Sequence, residues 1–266
     1  MQPRKPMQPH KVFITGASSG IGEALARHYA DRGAVVALFA RREGELARIA
    51  ATLAAPVVVT YAGDVRDAAA LAAAGADFIA RHGVPDVVIA NAGISRGTLT
   101  DHPQDLATFR AVFDTNVMGM VNTFAPFAAA MQHARAGTLA GIASVAGFRG
   151  LAGSGAYSAS KAAAITYLES LRLEMRPFGV AVVTICPGFV ATPFTARNPY
   201  RMPFIMQPDA AAAKIARAIV RRKRFYVLPW QMAIVGRLLR AAPRPLYDAM
   251  FVRARRKPRA GDTPSA

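Results

Sequence analysis

Val12-Phe13-Ile14-Thr15-Gly16-Ala17-Ser18-Ser19-Gly20-Ile21-Gly22 is the stretch on which the fold is decided. Residues 12–15 are apolar or β-branched and stop at a glycine, which is how a short buried strand reads. A helical pattern follows over about 20–32. Between them, Gly16, Gly20 and Gly22 permit a tight turn and let an anionic group approach backbone amides at a helix N-terminus, where the helix dipole favours negative charge. A buried strand, a glycine turn and a helix make the opening of a βα unit.

The same alternation continues along the chain. Further strands are predicted at 35–40, 57–61, 87–90, 138–143, 180–186 and 225–228. Helices are predicted at 43–53, 67–81, 103–134, 155–176 and 208–222. Strands apolar on both faces, separated by helices of this length, indicate a parallel sheet covered on both sides. The expected fold class is α/β, a doubly wound Rossmann-like sheet, with ligands bound beyond the carboxyl ends of the strands. The expected organisation is a loose N-terminus at 1–10, one catalytic domain at 11–228 and a basic extension at 229–266.

A glycine turn placed between a buried strand and a helix suits a nucleotide pyrophosphate. After the second strand comes Arg41-Arg42, where an acidic residue would bind the ribose hydroxyls of NAD and an arginine accommodates the 2′-phosphate of NADP. Read alone, the pair is an exposed charge cluster at a helix entry, and Asp64 of Asp64-Val65 is a turn or helix-cap residue. Farther on, Tyr157 and Lys161 stand four residues apart on a predicted helix, hence on one face. Ser144 lies at the end of the fifth strand, and Asn116 in the long helical stretch before it.

Each of these features is common alone. In order and at these spacings, the G-x-x-x-G-x-G turn, Asn91-Ala92-Gly93, Asn116, Ser144, Tyr157 and Lys161 resemble the short-chain dehydrogenase/reductase family, over about 11–228. The resemblance implies an oxidoreductase using NADP(H), with Gly16, Ser18, Ser19, Gly20, Ile21 and Gly22 around the pyrophosphate and Arg41 and Arg42 at the 2′-phosphate. It implies Asp64 and Val65 at the adenine, and Asn91, Ala92 and Gly93 beside its ribose. Many family members carry a second Asn where this chain has Ala90. Pro187, Gly188, Val190 and Thr192 match the segment beside the nicotinamide. The implied catalytic set is Asn116, Ser144, Tyr157 and Lys161, with Lys161 also on the nicotinamide ribose and Asn116 in a water relay.

The chemistry accounts for those residue types. Reducing a carbonyl leaves a developing alkoxide that needs a proton, and a phenol near pKa ~10 is a poor participant at neutral pH. A neighbouring ammonium favours the phenolate, and a serine hydroxyl stabilises the substrate oxygen as charge builds.

Composition narrows the rest. The one cysteine, Cys186, leaves no internal disulfide, and the five histidines show no metal-ligand spacing, so no metal is expected. No apolar run is long enough to span a bilayer, and a cytoplasmic protein is expected. Net charge is +17, of which the stretch 214–259, with 14 Lys/Arg against Asp248, supplies +13. From Trp230, residues Met232, Ile234, Val235, Leu238 and Leu239 share a broad helical side opposite Arg237 and Arg240, with Gly236 weakening the helix. That pattern suits peripheral contact with the anionic inner membrane surface, and equally docking on the domain or on a sister subunit. No nucleic-acid recognition motif accompanies the charge.

The resemblance places a substrate lid at about 193–208, where Met202, Phe204, Ile205 and Met206 either point to an apolar carbonyl or alcohol substrate or simply pack the lid. It also implies a homodimer or homotetramer through the helices carrying Asn116 and Tyr157. Alternatives are a 3-oxoacyl reductase, which the extension beyond Leu228 disfavours, and a non-catalytic NADP(H)-sensing protein at a membrane.

Overall fold

The chain builds one seven-stranded sheet from β1 (Lys11–Thr15), β2 (Val35–Ala40), β3 (Val58–Ala62), β4 (Val87–Ala90), β5 (Thr138–Ile142), β6 (Ala181–Pro187) and β7 (Phe225–Leu228). Its order is β3-β2-β1-β4-β5-β6-β7, and every neighbouring pair is parallel. This computed structural model describes residues 10–196, 198–253 and 256–259.

Alternate strand residues feed two separate cores, which is why the strands read as continuous apolar runs. Val12, Ile14, Val36 and Leu38 pack under α1 (Gly20–Ala30), α2 (Glu43–Ala50) and α7 (Pro208–Val220). Phe13, Phe39, Val88 and Leu139 pack under α3 (Ala68–His82), α5 (Gly119–Ala134) and α6 (Gly155–Met175). Phe13 is fully buried, with four aromatic rings at centroid distances of 4.8 to 6.3 Å. Burying a side chain of that size contributes about 1.5–3 kcal/mol.

Strand order reverses direction between β1 and β4, and that crevice is where such sheets bind ligands. Asn91 stitches it together. Its Nδ2 donates to the carbonyls of Thr15 and Gly16, both at 3.1 Å, while its own N–H donates to Thr15 Oγ1 at 3.3 Å.

Two elements differ from the sequence expectation. The single helix predicted over 103–134 is α4 (Asp105–Phe113), a π-helical turn (Asp114–Met118) and α5. The widened turn inserts a residue into the helical register, and Asn116 within it is fully buried. The basic extension forms α8 (Trp230–Ala241) and α9 (Arg244–Phe251), and residues 256–259 then return to the domain, where Arg259 bridges to Gly97.

The inner side of α8 is Met232, Val235, Gly236 and Leu239, buried or half-buried at helical spacing, while Trp230, Ile234 and Leu238 face solvent. Gly236 is thus a contact rather than a weak point, since a Cβ there would lie 2.4 Å from the Phe148 ring. Tyr247 Oη donates to the Gly150 carbonyl at 2.6 Å, and the Arg149 guanidinium sits 4.1 Å over the Tyr247 ring. The extension thus docks on the domain through one side of α8 and leaves Trp230, Ile234 and Leu238 on the outside. Among the described residues no helix is long and apolar enough to cross a membrane, and no cluster of potential metal ligands forms.

Candidate active site

The turn after β1 is shaped by close backbone approach. Gly16 has φ of 65°, and a Cβ on it would lie 2.7 Å from the Ala92 backbone. A Cβ on Gly22 would meet the Gly16 carbonyl at 2.3 Å, so Gly22 lets α1 pack onto the turn and does not itself line the cavity. Ser19 precedes α1 without a side-chain cap, leaving the first-turn amides to whatever lies before them. Gly16, Ser18, Ser19, Gly20 and Ile21 border one cavity of about 660 Å³.

Beyond the turn, Arg42 donates to the Ser18 carbonyl and Oγ, both at 3.0 Å. Arg41 is exposed, and among the described residues its one ion pair is a long 3.9 Å contact with Asp64. The carboxyl of Asp64 is held below its ordinary range, chiefly by the hydrogen bond from Arg66 at 2.7 Å. Asp64, Val65, Asn91, Ala92 and Gly93 continue the wall.

The cavity runs on to the residues expected to be catalytic. Lys161, almost fully buried, donates to the Ile142 carbonyl at 2.8 Å and lies 5.9 Å from the centre of the Tyr157 ring. Burial lowers its ammonium to about 8. Burial pushes the Tyr157 phenol up to about 12, while a hydrogen bond with Ser144 pulls the other way. Ser144 is placed by the sharp turn after β5, where its Oγ accepts from the Ala146 N–H at 3.1 Å. That turn approaches α6 so closely that a Cβ on Gly147 would lie 2.7 Å from the Lys161 backbone.

Asn116 joins the group from the π-helical turn. Its Oδ1 accepts from Ile94 N–H at 2.8 Å, and its Nδ2 donates to the Ile94 carbonyl at 3.0 Å and Ser160 Oγ at 2.9 Å. A Cβ on Gly93 would lie 3.2 Å from Asn116 Oδ1 and 3.6 Å from Lys161 Nζ, so a glycine there leaves these two side chains close together.

Sequence and structure meet at this point. Residues 10–201 match the short chain dehydrogenase family. The chain belongs to it. This short-chain dehydrogenase is 39% identical over 251 residues to an uncharacterized oxidoreductase of Myxococcus xanthus, covering 94% of this chain and 99% of that one. It is 36% identical over 189 residues to 11-beta-hydroxysteroid dehydrogenase 1A of Arabidopsis thaliana, covering 69% of this chain and 53% of the relative. Among solved structures, an alcohol dehydrogenase of Thermococcus sibiricus complexed with 5-hydroxy-NADP superposes with a TM-score of 0.71 at 27% identity, covering 82% of this chain and 95% of that one.

Pro187, Gly188, Val190 and Thr192 border the same cavity of the dehydrogenase. A residue not singled out from sequence, Thr195, organises them. Its buried hydroxyl donates to the Val190 carbonyl at 2.5 Å and accepts from the Thr192 N–H at 3.1 Å. A threonine three residues after another was a visible local hydrogen-bonding signal.

The apolar lid residues behave differently from one of their two expectations. Phe204 and Ile205 are exposed, and neither they nor Met202 and Met206 line the cavity. Its apolar wall comes instead from Phe148, Phe189, Phe194 and, in α8, Met232, Val235 and Leu239.

Proposed function

We propose that this short-chain dehydrogenase interconverts a carbonyl and an alcohol on an apolar substrate with NADP(H), using Tyr157 as acid and base. The observation that carries the reading is one continuous cavity joining the glycine turn and Arg41 to Ser144, Tyr157 and Lys161. The uncapped first turn of α1 fits a pyrophosphate, and the exposed Arg41 fits a 2′-phosphate. A dihydronicotinamide held there would supply the hydride. Tyr157 gives its proton to the oxygen of the substrate, Ser144 donates a hydrogen bond to that oxygen, and Lys161 stabilises the phenolate that remains. Asn116 holds the Ile94 backbone and Ser160 in register beside Lys161. In the oxidation direction the same groups work in reverse.

The name of the Thermococcus ligand supports NADP, and that of the Arabidopsis relative supports a lipid-like substrate. The cofactor is tested by separate fluorescence titrations with NADPH and NADH. Arg41→Ala should weaken NADPH binding about ten- to a hundredfold, the size of a lost charged hydrogen bond, and leave NADH unchanged. Equal binding of the two nucleotides, unaffected by the substitution, would rule out the NADP assignment.

The reading extends to a homodimer. Leu106 and Phe109 of α4, Met118 of the π-helical turn and Leu173 of α6 are large apolar side chains exposed on the helices that carry Asn116 and Tyr157. Sedimentation should give a dimer or tetramer for the wild type and a monomer for a Phe109→Asp, Leu173→Asp double variant. A monomeric wild type defeats this part of the proposal.

A further inference from the structure

The segment 256–259 closes over the substrate end of the cavity and is fixed there from both sides. Arg259 forks onto Asp105, with contacts of 2.8 and 3.2 Å, and Asp105 also accepts from the Leu99 N–H at 2.9 Å. The Gly97 N–H donates to the Pro258 carbonyl at 2.9 Å. Two glycines make room for this approach: a Cβ on Gly97 would lie 2.2 Å from the Lys257 carbonyl oxygen, and one on Gly153 2.8 Å from Arg256 Cβ. The bidentate Arg259–Asp105 pair is nearly buried, with side chains 19% and 6% exposed. A fork of this kind fixes orientation as well as distance.

This anchoring inserts Lys257 into the cavity. Its Nζ donates to Ser95 Oγ at 2.8 Å and stands 5.6 Å from the centre of the Tyr157 ring and 5.1 Å from that of Phe194. Among the described residues no carboxylate pairs with it. Asp105, the buried acid that anchors this segment, is held by Arg259. Burial lowers the Lys257 ammonium to about 8, and Arg96 pushes it the same way. One hydroxyl and two ring faces compensate an ammonium only in part. An anion arriving with the substrate would complete the site.

We infer that Lys257 is the counter-ion for a carboxylate on the substrate, making apolar oxo or hydroxy acids the substrate class of this dehydrogenase. The inference rests on the function proposed above. Because Lys257 lies a few ångströms from Tyr157, the carboxylate stands a few bonds from the carbonyl that Tyr157 serves. The rest of the acid occupies the wall of Phe148, Met232, Val235 and Leu239. The C-terminal extension thereby supplies specificity as well as closure.

The test compares octanoate with octanol by calorimetry, with and without NADP+, on the wild type, Lys257→Met and Lys257→Arg. The wild type should bind octanoate about tenfold or more tightly than octanol, the size of one charged hydrogen bond. That preference should vanish in Lys257→Met, with octanol binding retained, and survive in Lys257→Arg. Octanoate binding no tighter than octanol, no octanoate binding, or a preference that persists in Lys257→Met each overturns the inference. So does an equal loss of both ligands in Lys257→Met, which would make the residue a packing element. Failure of NADPH to bind in the fluorescence titration instead brings down the proposed function, and the octanoate arm without nucleotide reads separately from it.

Discussion

Tyr157→Phe should lower the turnover number for NADPH-dependent carbonyl reduction about a hundredfold to ten-thousandfold, the range in which positioned acid–base groups act. The substitution keeps the ring that packs 5.9 Å from Phe194 and removes only the hydroxyl. NADPH affinity should therefore remain at the wild-type level, and the loss should fall on turnover rather than on binding. The neighbouring groups cannot take over. Ser144 Oγ is held by the Ala146 N–H, and Lys161 is directed at the Ile142 carbonyl. Burial keeps the phenol protonated up to about 12 in the protein alone, so at neutral pH it stands ready as the acid. Steady-state NADPH consumption with a panel of apolar ketones gives the measurement. A Tyr157→Phe variant that turns over at the wild-type rate would exclude Tyr157 as the proton donor. If its biological effect were also unchanged, a nucleotide-sensing role would gain ground.

The strands and the order of the site residues were legible because their causes are local. A strand buried on both faces must be apolar throughout, so Val12–Ile14 or Val87–Ala90 declares itself in three or four residues. The glycine turn needs small residues where backbone meets backbone, and Gly16 and Gly22 show those contacts. The π-helical turn at Asp114–Met118 left no such mark, since its residues fit an ordinary helix and the extra residue is accommodated only in three dimensions. The extension was half legible. Helical spacing grouped Met232, Val235 and Leu239, but the same grouping included Ile234 and Leu238, which remain at the surface. Nothing local chooses between those two sides; contact with Phe148 and Gly188 does. The least legible contact is the most distant one. Lys257 meets Ser95 across 162 residues of chain, and neither residue belongs to a periodic pattern.

Lys161→Met should nearly abolish activity while changing how stability depends on pH, and the second effect isolates the charge. The ammonium is almost fully buried and titrates at about 8 instead of its ordinary 10.5. Below about pH 8 the folded protein carries that charge at a cost of about 3 kcal/mol relative to the unfolded chain, from a shift of this size. Between about 8 and 10.5 the unfolded chain holds more protons at this position than the folded one, so wild-type stability rises with pH. Above 10.5 neither state is charged and the cost is gone. Methionine titrates nowhere, so the wild type should gain up to about 3 kcal/mol relative to the variant across that window. Tyr157 and Lys257 titrate in both proteins and cancel in the difference, and Cys186, raised to about 12 chiefly by burial, stays protonated in both folded proteins across this window. The orphaned Ile142 carbonyl shifts the variant's stability by a constant amount, about 1–3 kcal/mol, and leaves the slope alone. Urea unfolding of both proteins at intervals from pH 7 to 10.5 gives the difference directly. A flat difference would mean that Lys161 is not a buried ammonium. In Lys257→Met, which removes the other cavity ammonium lowered to about 8, kcat/KM for carbonyl reduction should still fall as pH rises through about 8, because Lys161 then loses the proton with which it stabilises the phenolate left on Tyr157. A buried charge that destabilises the fold is thus the same charge that steadies the phenolate left on Tyr157 once its proton has gone to the substrate.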